Sequence, residues 1–263
     1  MHTVTIRFYE ELNDFLPRAK RKKRYRTTFR EARSVKDLIE AEGVPHTEID
    51  LLLVNGEPSS FDALIEDGCD ISVFPKFESL NIASLPRPNR EGPLRGTPCF
   101  VADVHLGKLT RRLRLLGFDC QYNRHWDDPD LAAVSQRENR VLLTRDRGLL
   151  MRNAVTHGIF IRSDHPDTQC REVLHRLDLH EAIRPWTRCI TCNGQLQSVE
   201  KTQIQDRVPA YTYKTQNRFC ECTECGKVYW QGTHWPKLKR FIEQITGEKP
   251  EGTDEGDRES VNQ

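Results

Sequence analysis

Three short apolar runs each end on an aspartate. Phe100 to Ala102 precedes Asp103, Val141 to Arg145 precedes Asp146, and Ile159 to Ser163 precedes Asp164. Runs of this length and apolarity read as strands buried on both faces, as in a parallel sheet. Ligands of such sheets gather outside the carboxyl ends of the strands, where carboxylates can converge on one point. Clustered carboxylates bind hard cations such as Mg²⁺ or Mn²⁺. A second chemistry is carried by sulfur. Cys189-x-x-Cys192 and Cys222-x-x-Cys225 form two knuckles, followed by Asn193-Gly194 and by Gly226. Those followers suit the positive-φ turn that aims backbone N–H groups at thiolate sulfur. Four thiolates at this spacing make a closed tetrahedral Zn²⁺ site, structural rather than catalytic. Cys220 is left over, as a core or exposed thiol. The nine cysteines are an odd number, which fits metal binding in a reducing compartment better than a disulfide framework.

The elements that must position the aspartates follow the same pattern. Leu106, Leu109, Leu113 and Leu116 share one helical face, with Lys108, Arg111 and Arg114 on the other side and Gly117 as the stop. Asp127-Asp128-Pro129 opens a helix containing Leu131, Ala132 and Val134. A helix is expected from Gly148 to His157, and another opens at Pro166. Repeated β-α units predict an α/β domain, a parallel sheet with helices on both faces. Each acid also has a plainer reading. Asp127 or Asp128 caps its helix, Asp164 caps the one near Pro166, and Asp119 satisfies a turn. Arg111, Arg112 and Arg114 form a solvated helix face. Asp103 is harder to place so, because a lone carboxylate directly after an apolar strand is costly unless paired or metal-bound. A salt bridge to Arg145 or Lys108 is its plain alternative.

Composition divides the 263 residues further. Residues 1–79 carry the order β-β-α-β-β of a β-grasp: strands around Val4 to Phe8, Tyr25 to Phe29, Leu51 to Val54 and Asp70 to Phe74, with a helix opening at Ser34. Prolines 86, 88, 93 and 98 with Gly92 and Gly96 mark a linker over 80–99. The aspartate domain occupies 100–182 and the cysteine module 183–246. From 247 to 263 the chain is polar and acidic, the composition of a disordered tail. Formal net charge is only +1, but nine Lys/Arg fall between Arg18 and Arg33. That run is either a solvated hairpin loop or an electrostatic handle on RNA, with Tyr25 beside it as a stacking surface. No signal-peptide core and no membrane-length apolar run is present, which predicts a cytoplasmic protein with no membrane partner.

The phrase Asp103-x-x-Leu106-Gly107-Lys108-Leu109-x-Arg111-Arg112-Leu113-Arg114-x-Leu116-Gly117-x-Asp119, with Asp128-x-x-Leu131 and Leu143-Thr144-Arg145-Asp146, resembles the PIN-like RNase domain of the Mut-seven C-terminal family. The likeness continues through Arg188-Cys189-x-x-Cys192-Asn193, Arg207-Val208-Pro209 and Val228-Tyr229-Trp230-x-Gly232-x-His234. It implies metal-dependent phosphodiester hydrolysis, with Asp103, Asp128 and Asp146 catalytic and Mg²⁺ or Mn²⁺ held by Asp103 and Asp146. Products would carry 5′-phosphate and 3′-hydroxyl ends. Arg114, Arg145, Lys108 and Arg111 are the candidate substrate contacts, since guanidinium and ammonium groups hold phosphate. Tyr229, Trp230 and Trp235 either close the core around the zinc or stack on bases. Arg207, Arg218 and Lys227 would extend a nucleic-acid surface. The first 79 residues resemble ubiquitin-like domains of the sulfur-carrier branch. Sulfur carriers end in a free Gly-Gly, whereas this module runs on through Phe74-Pro75-Lys76, so a binding or scaffolding role toward a protein partner is expected instead. The expectation is thus a metal-dependent ribonuclease: β-grasp, PIN-like domain, zinc ribbon. Its rival is an RNA-binding or adaptor protein that keeps the fold without turnover.

Overall fold

The structure is a computed structural model and describes residues 1–75, 88 and 96–247. Most of the expected linker, 80–87 and 89–95, and the acidic tail from 248 onward lie outside the described residues.

Alternation in the first strand fixes the first sheet. β1 (His2–Phe8) buries Val4, Ile6 and Phe8 and turns the intervening residues outward. It pairs antiparallel with β2 (Tyr25–Phe29) and parallel with β5 (Asp70–Phe74). β3 (Leu51–Val54) and a two-residue β4 (Glu57–Pro58) complete the order β2-β1-β5-β3-β4. The helix α1 (Val35–Ala41) lays Val35, Leu38 and Ile39 into the core. Ser34 caps it, and Asp37 closes a reciprocal capping box. This is the β-grasp the sequence predicts. The basic run is only partly free. Lys20 pairs with Glu42 at 2.5 Å, Arg24 reaches Asp70, and the Tyr25 hydroxyl donates to Glu42 at 2.8 Å. The Tyr25 ring, half-buried, also carries the Lys20 ammonium 4.8 Å from its centroid.

The second sheet is parallel throughout, in the order β7-β6-β8-β9. Its strands are β6 (Phe100–Ala102), β7 (Cys120–Tyr122), β8 (Val141–Thr144) and β9 (Gly158–Phe160). β6 and β8 are buried at every position, as central strands covered on both faces must be. One face packs on α2 (Gly107–Leu115) and α5 (Pro166–Arg176), through Leu109, Leu113, Val173 and Leu174. The other packs on α3 (Asp128–Glu138) and α4 (Arg147–Leu150), through Leu131, Val134, Leu149 and Leu150. The expected helix over Gly148 to His157 is much shorter than its sequence pattern: α4 is a single turn, and the chain then loops through Arg152 to β9. Gly117 ends α2 at φ +95°, and a Cβ there would lie 2.2 Å from the Arg184 carbonyl oxygen. No side chain fits that crossing.

The cysteine module adds a three-stranded antiparallel sheet, β10 (Leu196–Val199), β11 (Phe219–Cys222) and β12 (Val228–Trp230). A short α6 (Ala210–Thr215) joins β10 to β11, and α7 (Trp235–Thr246) follows β12. α7 returns Phe241, Ile242 and Ile245 to the core of the parallel sheet. Among the described residues no helix is long and apolar enough to cross a membrane.

Candidate metal and nuclease site

β6 and β8 are neighbours, but the chain leaves β6 toward β7 and only then crosses to β8. Their carboxyl ends therefore flank the point where the strand order reverses, the place where open α/β sheets form a crevice. Asp103 follows β6 directly, and Asp146 lies two residues past β8. Asp128 comes from the first turn of α3, which crosses from β7 to β8. Asp103, Asp128, Asp146 and Arg145 line one cleft, together with His105, Trp126, Asp127, Arg147 and Arg152.

Thr144 holds the two strand-end acids in register. Its hydroxyl, fully buried, donates to Asp103 Oδ2 at 2.7 Å and accepts from the Asp146 backbone N–H at 3.0 Å. Asp146 uses Oδ1 to cap α4, accepting from Gly148 N at 2.7 Å and Leu149 N at 3.2 Å. Asp103 is only 7% exposed and pairs with no Lys, Arg or His among the described residues. The expected alternatives fail for identifiable reasons: Arg145 turns to the exposed Asp164, and Lys108 is exposed on α2 and does not line the cleft. Asp127 is the N-cap of α3 with Asp130 as its reciprocal partner, leaving Asp128 free to face the cleft. There Asp128 is 3.7 Å from Arg152.

Other expected contacts lie elsewhere. Arg114 does not line the cleft. Its guanidinium is buried and donates to the carbonyls of Cys120 at 2.9 Å and Thr191 at 2.8 Å, so it clamps the first cysteine knuckle to β7. Burial also lowers its pKa. Arg111 is exposed on α2 and, like Lys108, lies outside the cleft lining. Asp164 does not join the acids; it sits 88% exposed beside Arg145. Sequence reasoning missed Trp126, Arg147 and Arg152 as cleft residues. Arg147 stood one residue after Asp146, but adjacency gave no sign of direction. Trp126 preceded the Asp127 cap, and only the fold turns it to the strand ends.

The four cysteines come together as their spacing predicts. Their sulfurs lie within 4.8 Å of one another, with Cys189–Cys225 at 3.7 Å and Cys192–Cys222 at 3.3 Å. Zinc–thiolate bonds of ~2.3 Å in a tetrahedron separate sulfurs by about 3.8 Å, so the cradle fits Zn²⁺. Asn193 at φ +82° and Gly226 at φ +69° form the two knuckle turns. A Cβ on Gly194 would lie 2.8 Å from Cys222 Sγ, so that position must stay bare. Burial raises the Cys189 thiol, but donation from the Tyr229 hydroxyl at 3.0 Å and from backbone amides outweighs it and holds the thiol well below its ordinary value. The module is joined to the sheet through Asp119. Burial pushes that carboxyl up, yet hydrogen bonds from Arg140 at 2.6 Å and Asn193 at 2.9 Å, with the Arg188 charge, leave it below the usual range.

Residues 98–242 match the Mut7-C RNAse domain family, and residues 1–81 match the Mut7-C ubiquitin family. No curated protein and no solved structure matches the chain. With the parallel sheet, the cysteine cradle and the leading β-grasp all accounted for, the chain belongs to the Mut7-C RNAse family, carrying the ubiquitin-like domain of the Mut7-C type at its front.

Proposed function

We propose that this chain is a ribonuclease that hydrolyses RNA phosphodiester bonds in the Asp103–Asp146 cleft with a divalent cation, Mg²⁺ or Mn²⁺. The observation that carries the reading is Asp103: a carboxylate 7% exposed, held by one neutral hydroxyl and lacking any cationic partner among the described residues. Such a group calls for a cation from outside the chain. The donor set fits a hard cation, since Asp103 Oδ1 and Asp146 Oδ2 remain after Thr144 and α4 have taken the other two oxygens. Mg²⁺ keeps several waters and needs only one or two protein carboxylates. When bound, such an ion polarises the phosphate and lowers the pKa of a coordinated water.

The chain's own residues then divide the work. Asp103 and Asp146 hold the ion, and Thr144 fixes the Asp103 side chain. Asp128, on the opposite wall, orients the attacking water. Arg145, Arg147 and Arg152 line the cleft and neutralise phosphate charge. The likeness to PIN-like nucleases implies that the 3′ oxygen leaves, which gives 5′-phosphate and 3′-hydroxyl ends. The four cysteines hold structural zinc, and the protein is cytoplasmic.

A second reading, an RNA-binding adaptor without turnover, is favoured by one observation. Among the described residues the four cysteines are the only group of three or more ligand-type side chains placed to hold an ion; Asp103, Asp128 and Asp146 do not form such a group. Cleavage of end-labelled RNA with Mg²⁺ or Mn²⁺ separates the two. Wild type should cut, and Asp103→Asn and Asp146→Asn, each zinc-loaded, should lose at least 100-fold. A zinc-loaded wild type that binds RNA and leaves it intact would establish the adaptor.

A further inference from the structure

On the zinc side of the molecule lies a second recess of about 450 Å³, within the ~300–1,000 Å³ of small-molecule sites. Its walls include four half-buried aromatic rings, Trp186, Tyr229, Trp230 and Trp235, beside aliphatic side chains such as Leu115, Leu196 and Leu238. The Trp186 and Trp235 rings stack on each other at 4.1 Å between centroids. Trp186 does so from φ +64°, a left-handed backbone that an aromatic residue rarely adopts. The fold thus accepts local strain to put this ring in the wall. Three cations, Arg188, Arg218 and Lys227, also line the recess, and no Asp or Glu does.

The recess is not isolated. Arg188 also lines a polar recess beside it, whose far wall includes Trp126. Trp126 in turn lines the carboxylate cleft. Arg188 and Trp126, each shared by two linings, thus set the three recesses in a row, a track whose middle also carries Asp119 and Glu224. Aromatic faces beside cations are the means by which proteins hold single strands: every base has a face to stack, and every phosphate a charge to meet.

We infer that the aromatic groove between β12 and the start of α7 is a base-stacking subsite for single-stranded RNA whose scissile phosphate lies in the Asp103–Asp146 cleft. This rests on the nuclease reading and extends it: substrate would be single-stranded over the track, and oligonucleotides too short to span it would bind weakly. Trp230 is the stacking face to test: its half-buried ring packs in part against the Ile204, Val208 and Phe219 cluster and in part lines the recess, and Gly232 leaves its Nε1 edge without a neighbouring side chain. Arg218 is the cation to test, being exposed and without an ion pair among the described residues.

The experiment compares full-length wild type, Trp230→Leu and Arg218→Ala, each with verified zinc content and thermal unfolding. Probes are 5′-fluorescein oligouridylates of 4 and 14 nucleotides, and a 14-mer carrying abasic residues at successive positions. Stacking on one base is worth ~1–3 kcal/mol, so Trp230→Leu should weaken the 14-mer about 5- to 150-fold and leave the 4-mer unchanged. An abasic residue at the right position should produce the same loss in wild type and none in Trp230→Leu. Arg218→Ala should reduce the salt slope by about 0.7. Equal affinity of wild type and Trp230→Leu for every probe overturns the subsite, as does equal weakening of both lengths. Cleavage is read on the same samples. Trp230-dependent binding without cleavage would refute the nuclease reading and leave the subsite standing; cleavage unaffected by Trp230→Leu at all lengths would do the reverse. A groove that takes a proline-rich peptide and no oligonucleotide would overturn it in favour of a protein partner.

Discussion

Replacing Glu48 with Ala removes the carboxylate that joins the ubiquitin-like domain to the edge of the parallel sheet. Glu48 ends the turn His46–Glu48, and its side chain is fully enclosed. Oε2 accepts from Arg162 Nη2 and Arg176 Nη2, both at 2.9 Å, and Oε1 accepts from the Phe160 backbone N–H at 2.8 Å. Removing one partner of a buried ion pair costs ~3–5 kcal/mol. Arg162 and Arg176 keep 24% and 16% side-chain exposure, and Arg162 has Asp14 within 3.6 Å as a second acid. These reliefs put the expected loss at the lower end, about 3 kcal/mol. At a slope of ~3 kcal/mol per M, the urea midpoint falls by about 1 M. The chain supplies its own reporter, because all four tryptophans, Trp126, Trp186, Trp230 and Trp235, lie beyond the ubiquitin-like domain. In wild type, tryptophan fluorescence and far-ultraviolet dichroism should unfold together. In Glu48→Ala they should separate, as the two domains lose their coupling. Glu48→Gln keeps an acceptor for Phe160 and should lose less. A midpoint shift below 0.3 M with coincident transitions, about 1 kcal/mol on the same slope, would refute the idea that this contact holds the domains together.

Asp103→Asn should raise stability by roughly 1 kcal/mol without divalent cation, since it removes an unpaired buried charge; thermal unfolding with and without Mn²⁺ checks this, and the variant should lose the Mn²⁺-induced rise. Asp146→Ala should cost about 1 kcal/mol by uncapping α4, whereas Asp146→Asn keeps the cap and should lose activity at nearly wild-type stability. Chelation of zinc should unfold the cysteine module and loosen α7, read as loss of Trp186 and Trp235 fluorescence structure while residues 1–75 keep their dichroism. The Asp119 carboxyl lies below the usual range, so its contribution is complete above an ordinary carboxylate pKa of ~3.9 and is lost as pH falls through the lowered value. Asp119→Asn should therefore lower stability at pH 7 and flatten the acid side of the stability–pH curve.

Where the sequence was legible, a periodic pattern met a simple environment. The β1 alternation, the Ser34 cap, the Leu106–Leu116 face and the cysteine spacing each specify their structure locally. The strand-end aspartates were legible in position but not in partner. Asp164 follows an apolar run as Asp103 does, yet the strand stops at Phe160, and the extra residues carry Asp164 out to solvent. Arg114 stands in the sequence opposite the leucine face, which suits either a phosphate contact or a solvated helix face. Nothing local says that the first cysteine knuckle, 76 to 77 residues later in the chain, supplies carbonyls to bury it. α4 is shorter than its apolar pattern because the chain after Leu150 passes through isolated turns, the Val155 N–H donating to the Arg152 carbonyl at 2.9 Å, and still packs Val155 into the core.

The edges of the parallel sheet show why neither flanking module is an appendage. An edge strand exposes backbone N–H groups that invite another chain. On β7 the Cys120 N–H donates to Asn193 Oδ1 at 3.0 Å, from the first cysteine knuckle. On β9 the Phe160 N–H donates to Glu48, from the ubiquitin-like domain. A side chain from each module thus closes one edge of a sheet whose strands run only three or four residues. The same modules brace the cleft. Arg147, next to Asp146, donates to the Phe15 carbonyl at 3.0 Å, and His46 Nε2 meets the Val155 carbonyl at 2.9 Å in the loop after α4. A chain beginning at residue 96 would lose the β9 cover and the Arg147 anchor together. It should aggregate during refolding and lose activity even where it stays in solution. Light scattering and cleavage measured on that truncation, beside Glu48→Ala in the full chain, test the argument: a monomeric, fully active truncation would show that the ubiquitin-like domain serves a partner and not the sheet.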